Sequence, residues 1–367
     1  MNQSAEKKST IRRFKPAGII FALLGLVLFA YVVRRVGTNV IVDNIKALGA
    51  GFLLVLALSG LRLVVRALAW TRCFEAPHQL RFRDALQARI MGDALGNLVP
   101  FGTMIIGEPA KAVLVRKRVP LLASLSALAI ENIFYSLSVS LFIFSGTLAL
   151  LLNFSSSMKK PLWYASIGAL VAVAVIIPLA YMVIHRQWKF LSGAAEFLYG
   201  RGIGRRLLET RRESIASVES RIYGFYGRNR SRFLPIMLLE FCFHFAGVLE
   251  AYVVLWFISS DYQPTLLMAF ILESVNRMIT VVFKFMPMRV GVGESAAEQI
   301  AKLLGFTLGK GATLEIIRKI RDLCWTALGF ALLVKRGLSL RAVAEETQTA
   351  VATEVAATGG AAVPASE

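Results

Sequence analysis

The chain reads as an all-α polytopic membrane protein, and three observations carry that prediction. Of its 367 residues 56% are apolar and only 18% charged, with a mean hydropathy of +0.62, whereas soluble domains carry about a quarter charged residues. The apolar residues fall in long uninterrupted runs, each supplying the ~20 residues that a helix needs to cross a bilayer. The charge is strongly basic, 42 Lys plus Arg against 23 Asp plus Glu for a net +19. Membrane proteins collect Lys and Arg on the cytoplasmic side, where anionic lipid faces them, so the excess calls for no nucleic-acid partner.

The elements follow in order. A basic N-terminus (1–16) precedes an uncharged run from Ala17 to Val33. Its end, Tyr31-Val32-Val33-Arg34-Arg35, offers no small-residue cleavage site, so the run predicts a retained anchor followed by an outer loop to 47. Five further spans are predicted at 48–70, 121–152, 162–184, 233–258 and 313–334. Asp84 to Val99 and Thr103 to Val115, separated by Pro100-Phe101-Gly102, are about sixteen and thirteen residues; at ~1.5 Å per residue neither crosses a ~30 Å core. They predict a re-entrant helical hairpin over 84–115. Thr265 to Met286 and Val292 to Leu304, on either side of Pro287-Met288-Arg289-Val290-Gly291, repeat that form over 265–304, although the first arm of this pair is long enough to span, which leaves a re-entrant and a fully spanning arrangement both open. The expectation is about six transmembrane helices plus two re-entrant hairpins.

Loop charge orients them. With the N-terminus in the cytoplasm, Arg116, Lys117 and Arg118 lie inside, as do eleven Lys or Arg in the basic loop 185–232 and Lys335, Arg336 and Arg341. The poorly charged Ser259 to Pro264 lies outside. Repeat 1 (48–152) and repeat 2 (233–335) are then inverted copies, joined by a linking transmembrane helix (153–184) and the basic loop. Inverted repeats with broken helices point to a transport site at the bilayer midplane. Within the loop, Glu196 to Arg221 is expected to form an interfacial helix. The tail 336–367, rich in Ala, Thr and Glu, lacks a periodic apolar face and is expected to be disordered.

Charges inside spans cost roughly 2.5 to 3.5 kcal/mol each at a helix centre, so each asks for a partner or a cavity. Arg62 and Arg66 share one helix face, and Glu240, His244 and Glu250 lie in the counterpart helix. Arg89, Asp93 and Asn97 form a stripe; Glu273, Asn276 and Arg277 form another, as do Glu294, Glu298 and Lys302. Glu131-Asn132 interrupts one span, and Glu315, Arg318, Lys319, Arg321 and Asp322 open the last. Each charge alone is as well explained by a structural ion pair, but together they predict a charged cavity.

The hairpin breaks carry a sharper signal. A half-helix after each break points its N–H groups inward and favours a phosphate or carboxylate there, with Arg62, Arg66, Arg277 and Arg289 as counter-charge. Glu108 and Glu294 follow the breaks at one to two turns into those half-helices, either as caps or as groups that exchange a proton or a headgroup. The expected transport site is Glu108, Glu294, Arg62, Arg66, Glu131, Asn132, Glu273, Arg277, Arg289, Arg318, Arg321 and Asp322. His244 is expected to bond Glu240 rather than a metal. Three Cys at no motif spacing, and no HExxH, DxD or phosphate-binding GxxxxGK[ST], leave no expected metal, cofactor or catalytic residue.

The run Gly96-Asn97-Leu98-Val99-Pro100 through Gly107-Glu108-Pro109-Ala110-Lys111, and later Pro287-Met288-Arg289-Val290-Gly291-Val292-Gly293-Glu294-Ser295-Ala296, resemble the membrane region of lysylphosphatidylglycerol synthases, the flippase-like domain family. Glu273 to Arg277, the second motif and Arg318-Lys319-Ile320-Arg321-Asp322 are similar in order and spacing to its hopanoid-biosynthesis-associated branch. The resemblance covers about Arg62 to Val334. Lys111 stands where the family often has Arg, and Gly291-Val292-Gly293 where it has a Gly pair, which bears on headgroup preference. It reaches no aminoacyltransferase domain, so it implies no synthase activity. It implies a lipid transporter of a bacterial cytoplasmic (inner) membrane, both termini in the cytoplasm, moving a polar or anionic lipid. Anionic lipid would lie at the cytoplasmic face, and a lipid-biosynthesis protein is a candidate partner. The alternatives are a membrane-embedded enzyme or accessory subunit of a lipid-modifying pathway, hopanoid or aminoacyl-lipid, with Glu108 and Glu294 as acid and base, and a small-solute or ion transporter.

Overall fold

In the computed structural model the described residues are 37–97, 106–185, 199–201, 212–259 and 262–336 without 285, 287 and 288, together with residues 31, 34, 193 and 197. The predicted anchor, the break at Pro100, most of the basic loop before 212, Pro287-Met288 and the tail from 337 lie outside them. Eleven α-helices and no strand occur among the described residues. They are α1 (Thr38–Leu48), α2 (Gly51–Arg72), α3 (Phe82–Gly96), α4 (Glu108–Val115), α5 (Leu121–Phe154), α6 (Lys160–His185), α7 (Arg212–Arg228), α8 (Arg230–Ile258), α9 (Leu266–Val282), α10 (Val292–Leu303) and α11 (Lys310–Lys335).

Four helical segments are long and apolar enough to cross a membrane: Gly51–Arg72, Leu121–Ser157, Lys160–Leu179 and Arg230–Ile258. The chain is an all-α polytopic membrane protein. The sixth predicted span, α11, is long enough at 26 residues, ~39 Å, but its first half is too charged to qualify by composition. Those charges are satisfied by neighbouring helices, which hydropathy along the chain does not register.

Local chemistry sets the element ends. Thr265 Oγ1 accepts from Met268 N at 3.3 Å and caps α9. Pro109 occupies the first turn of α4, where its missing N–H is no loss. Gly309, at φ 94, supplies the left-handed residue from which α11 starts.

Two of the predicted connectors contain helices. The outer loop to 47 contains a helix, α1, with Ile41, Asn44 and Leu48 buried. Asn44 Nδ2 donates to Thr313 Oγ1 at 3.2 Å and Asn44 Oδ1 accepts from Lys310 Nζ at 2.9 Å, which ties α1 to α11. Of the interfacial helix expected over 196–221, Phe197, Tyr199 and Gly200 are helical, 202–211 lie outside the described residues, and α7 runs from Arg212 on to Arg228. This helix is part of the packed fold, because Ile222 and Phe225 are buried against α5 and α8, with Tyr226 at 5.6 Å from the ring of Phe134.

The packing pattern repeats. α2 packs along α8; α3 packs on α11 as α9 packs on α5; α4 meets α5 as α10 meets α11. The pattern is unchanged when α2–α5 is exchanged for α8–α11. Small residues make the cross-contacts close: a Cβ at Gly329 of α11 would stand 2.7 Å from the Ile90 carbonyl of α3, and one at Gly146 of α5 would stand 2.1 Å from Ser274 Oγ of α9. Beside two small clusters, two large apolar cores result among the described residues. One joins Trp70, Leu121, Phe134, Phe225 and Ile236; the other joins Phe142, Leu150, Leu255, Ile271, Ile300 and Leu314.

Candidate functional site

Between the two larger cores the helices bring polar side chains together. The middle of α2 carries Arg62 and Arg66, the middle of α3 Arg89, and the middle of α8 Glu240, Phe243 and His244. Glu131 faces them from α5, Glu273 and Arg277 from α9, and Arg318, Arg321 and Asp322 from α11. Nearly all of these side chains are buried, and a buried charge is tolerated only when paired.

Three carboxylates each hold two arginines. Glu131 Oε1 accepts from Arg66 Nε at 2.8 Å and Arg89 Nη2 at 2.9 Å. Glu250 holds Arg62 at 3.1 Å and also Arg321, which pairs in turn with Asp322 at 2.7 Å. Glu273 holds Arg277 and Arg318, and Arg318 reaches Glu315 as well. Asn132 Oδ1 accepts from Arg66 Nη2 at 3.5 Å. The ring of Phe243 lies against three guanidiniums, Arg62 at 4.5 Å, Arg277 at 5.1 Å and Arg66 at 5.6 Å, while Arg66 also stands 4.2 Å over Tyr135. Ring faces attract cations and hold these guanidiniums in place without adding charge.

The hairpin acids lie at the edge of this layer. Glu294 Oε2 accepts from Gly291 N at 2.8 Å, which caps α10, and Oε1 lies 2.9 Å from Lys319 Nζ. Glu108 is the first residue of α4 and bonds Lys111 Nζ at 2.7 Å, and Lys111 also reaches Asp93 at 2.7 Å. Glu294 is therefore a first-turn residue, not one to two turns along, because α10 begins at Val292; before Glu108 the chain is already helical at Ile106 and Gly107, and 98–105 lie outside the described residues. Arg289 adopts a left-handed φ of 52, unusual for a residue with a side chain. Its Nη1 donates to Thr280 Oγ1 at 2.7 Å. Among the described residues no carboxylate lies within ion-pairing distance of it.

The Arg89, Asp93, Asn97 stripe fans out to three helices, through Glu131 on α5, Lys111 on α4, and Thr326 on α11, which Asn97 Nδ2 reaches at 3.1 Å. Glu298 accepts from Gly309 N at 2.9 Å and Ala312 N at 3.1 Å, so it caps α11 from the neighbouring helix. His244 is not bonded to Glu240. Its Nε2 lies 3.1 Å from Ser138 Oγ, and its ring stacks on Phe142 at 4.8 Å.

The layer thus brings together Arg62, Arg66, Glu131, Asn132, Glu273, Arg277, Arg318, Arg321 and Asp322, with Glu294 joined through Lys319. Glu108 stands apart with Lys111. Six participants were not in the expected set: Arg89, Glu240, Glu250, Glu315, Lys319 and Phe243. The first five were visible as charges within apolar segments. Phe243 had only one signal, its place three residues after Glu240 on the same helical face.

No curated protein and no solved structure gives a significant match to the chain. The family described as the lysylphosphatidylglycerol synthase TM region matches residues 17–329, a stretch that holds both predicted hairpins and every residue of the ionic layer, and the chain belongs to that family.

Proposed function

We propose that the protein moves a polar or anionic lipid across a bacterial cytoplasmic membrane, as a transporter and not as an enzyme. Its family is membrane-embedded and lipid-related. The observation that carries the reading is Arg289: a half-buried guanidinium at the second hairpin break, held by a hydroxyl instead of a carboxylate and adjoining a layer of paired charges at mid-height. Such a group is placed to take a phosphate or carboxylate headgroup, and the N-termini of α4 and α10 add positive ends of helix dipoles. The acyl or polyprenyl tail stays in lipid while the headgroup crosses the charged layer.

The exchangeable packing of α2–α5 and α8–α11 supports an inverted repeat in which each short pair, α3 with α4 and α9 with α10, is a re-entrant hairpin. Both termini then lie in the cytoplasm, against anionic lipid, where a lipid-biosynthesis protein has access. The test is leaflet exchange of labelled lipids in liposomes containing the purified protein. Exchange that is faster for anionic than for zwitterionic lipid, and that is lost in Arg289→Gln, is the expected result. Product formation without exchange would favour an enzyme.

A further inference from the structure

Glu240 sits at the middle of α8 with no exposed surface, and neither of its oxygens accepts a hydrogen bond among the described residues. The closest cation is Arg66 on α2, whose Nε stands 3.8 Å from Oε2. Arg66 is already engaged, with Nε 2.8 Å and Nη2 2.7 Å from Glu131 Oε1 on α5 and its guanidinium over Tyr135. Arg89 of α3 serves the same Glu131 oxygen.

The remaining charges that reach α8 are also taken. Arg62 of α2 pairs with Glu250, Arg277 of α9 with Glu273, Arg318 of α11 with Glu273 and Glu315, and Arg321 of α11 with Glu250 and Asp322. Arg228, where α7 meets α8, pairs with Glu75. At the far end of α8, α1 and α11 bring Asn44 and Lys310, bonded to each other. His244 bonds Ser138. The Cys73 thiol, just past α2, donates to the Ala69 carbonyl. An ionised carboxylate without donors is strongly disfavoured in a dry interior, whereas the protonated acid is not.

We propose that Glu240 is the proton-binding group of the ionic layer. Glu131 and Glu240 flank one guanidinium, which serves one of them at a time. With Arg66 on Glu131, Glu240 holds a proton. When Glu240 releases that proton to water, its carboxylate draws Arg66 across the 3.8 Å gap and Glu131 keeps Arg89 alone; proton uptake returns Arg66 to Glu131. The link to lipid passage rests on the transport reading above, but the proton site does not.

Infrared spectroscopy on the purified full chain in nanodiscs tests it. The wild-type minus Glu240→Gln difference is expected to show the carbonyl stretch of one protonated carboxylic acid near neutral pH, fading as pH rises. Glu131→Gln, which frees Arg66 for Glu240, is expected to lose that band although Glu240 is present; a buried acid with only a structural role would keep it. No band in the first difference, or its persistence in Glu131→Gln, overturns the proposal. So does a fall in melting temperature for Glu240→Gln as large as that for Glu131→Gln, since it would mean an ionised, paired Glu240. If Glu240→Gln yields no folded protein, the Glu131→Gln spectrum decides alone. Absence of lipid exchange in wild-type liposomes would sink the transport reading and leave the infrared result standing.

Discussion

Arg89 and Glu273 occupy the same place in the two helical pairs and carry opposite charge. Each is the eighth residue of its helix and each is buried. Each reaches the long helix that closes its own half of the fold: Arg89 bonds Glu131 of α5 at 2.9 Å, and Glu273 accepts from Arg318 of α11. One junction is built twice with its polarity reversed, and each half closes its own copy.

Removing one partner of such a junction strands the other. Arg89→Met leaves Glu131 with Arg66 alone and is expected to cost about 3–5 kcal/mol, as breaking a buried pair does. The double variant Arg89→Met/Glu131→Gln removes the stranded charge and should recover part of that loss. Thermal unfolding in one detergent compares the two; equal losses would show that the pair is not the energetic unit.

Glu108 and Glu294 separate capping from transport. Gln at position 294 keeps an acceptor for Gly291 N but loses the charge that faces Lys319, and Gln at 108 weakens the contact with Lys111. If the ionised forms take part in the cycle, both Gln variants should lose lipid exchange at temperatures where they are still fully folded, whatever their melting temperatures lose with the pairs to Lys319 and Lys111. Unchanged exchange in both removes these acids from the mechanism and leaves Arg277, Arg318 and Arg321 as the groups to test.

Gly247 is a steric probe of the layer. A Cβ there would stand 2.5 Å from Glu273 Oε1, so Gly247→Ala displaces the carboxylate that bridges Arg277 and Arg318. The expected loss is about 1–3 kcal/mol, the usual range for overpacking, together with reduced exchange. Gly168→Ala on α6 meets no atom within 4 Å and should leave both measurements unchanged.

Topology is testable by labelling. In a chain freed of its native cysteines, one Cys at Lys117 should react only from the cytoplasmic side and one at Tyr262 only from outside. Reaction of both from the same side would rule out the inverted arrangement.

Much of the fold was legible in the sequence, because apolar runs bounded by charge are the signal a bilayer demands. The predicted spans at 121–152 and 233–258 differ from α5 and α8 by a few residues at most. Where the reading failed, the deciding contacts were long-range. Ile41, Ile45 and Leu48 do form a short apolar face, but only Asn44 and Thr313 reveal what α1 packs against. In the site, the charges were countable but their partners were not. Nothing in the spacing of Glu240 and His244 discloses that one has no hydrogen bond among the described residues and that the other turns to Ser138.

The charged first half of α11 also dictates an order of assembly. Glu315, Arg318, Lys319, Arg321 and Asp322, at roughly 2.5–3.5 kcal/mol each on insertion scales, would keep this helix out of lipid if it arrived alone. The carboxylates it needs, Glu250 on α8 and Glu273 on α9, leave the ribosome first and are already waiting when α11 emerges. The helix therefore enters as a ligand of the half-built protein, not as an independent stop-transfer segment. A circular permutant that made α11 first would have the same final contacts available and no route by which to reach them.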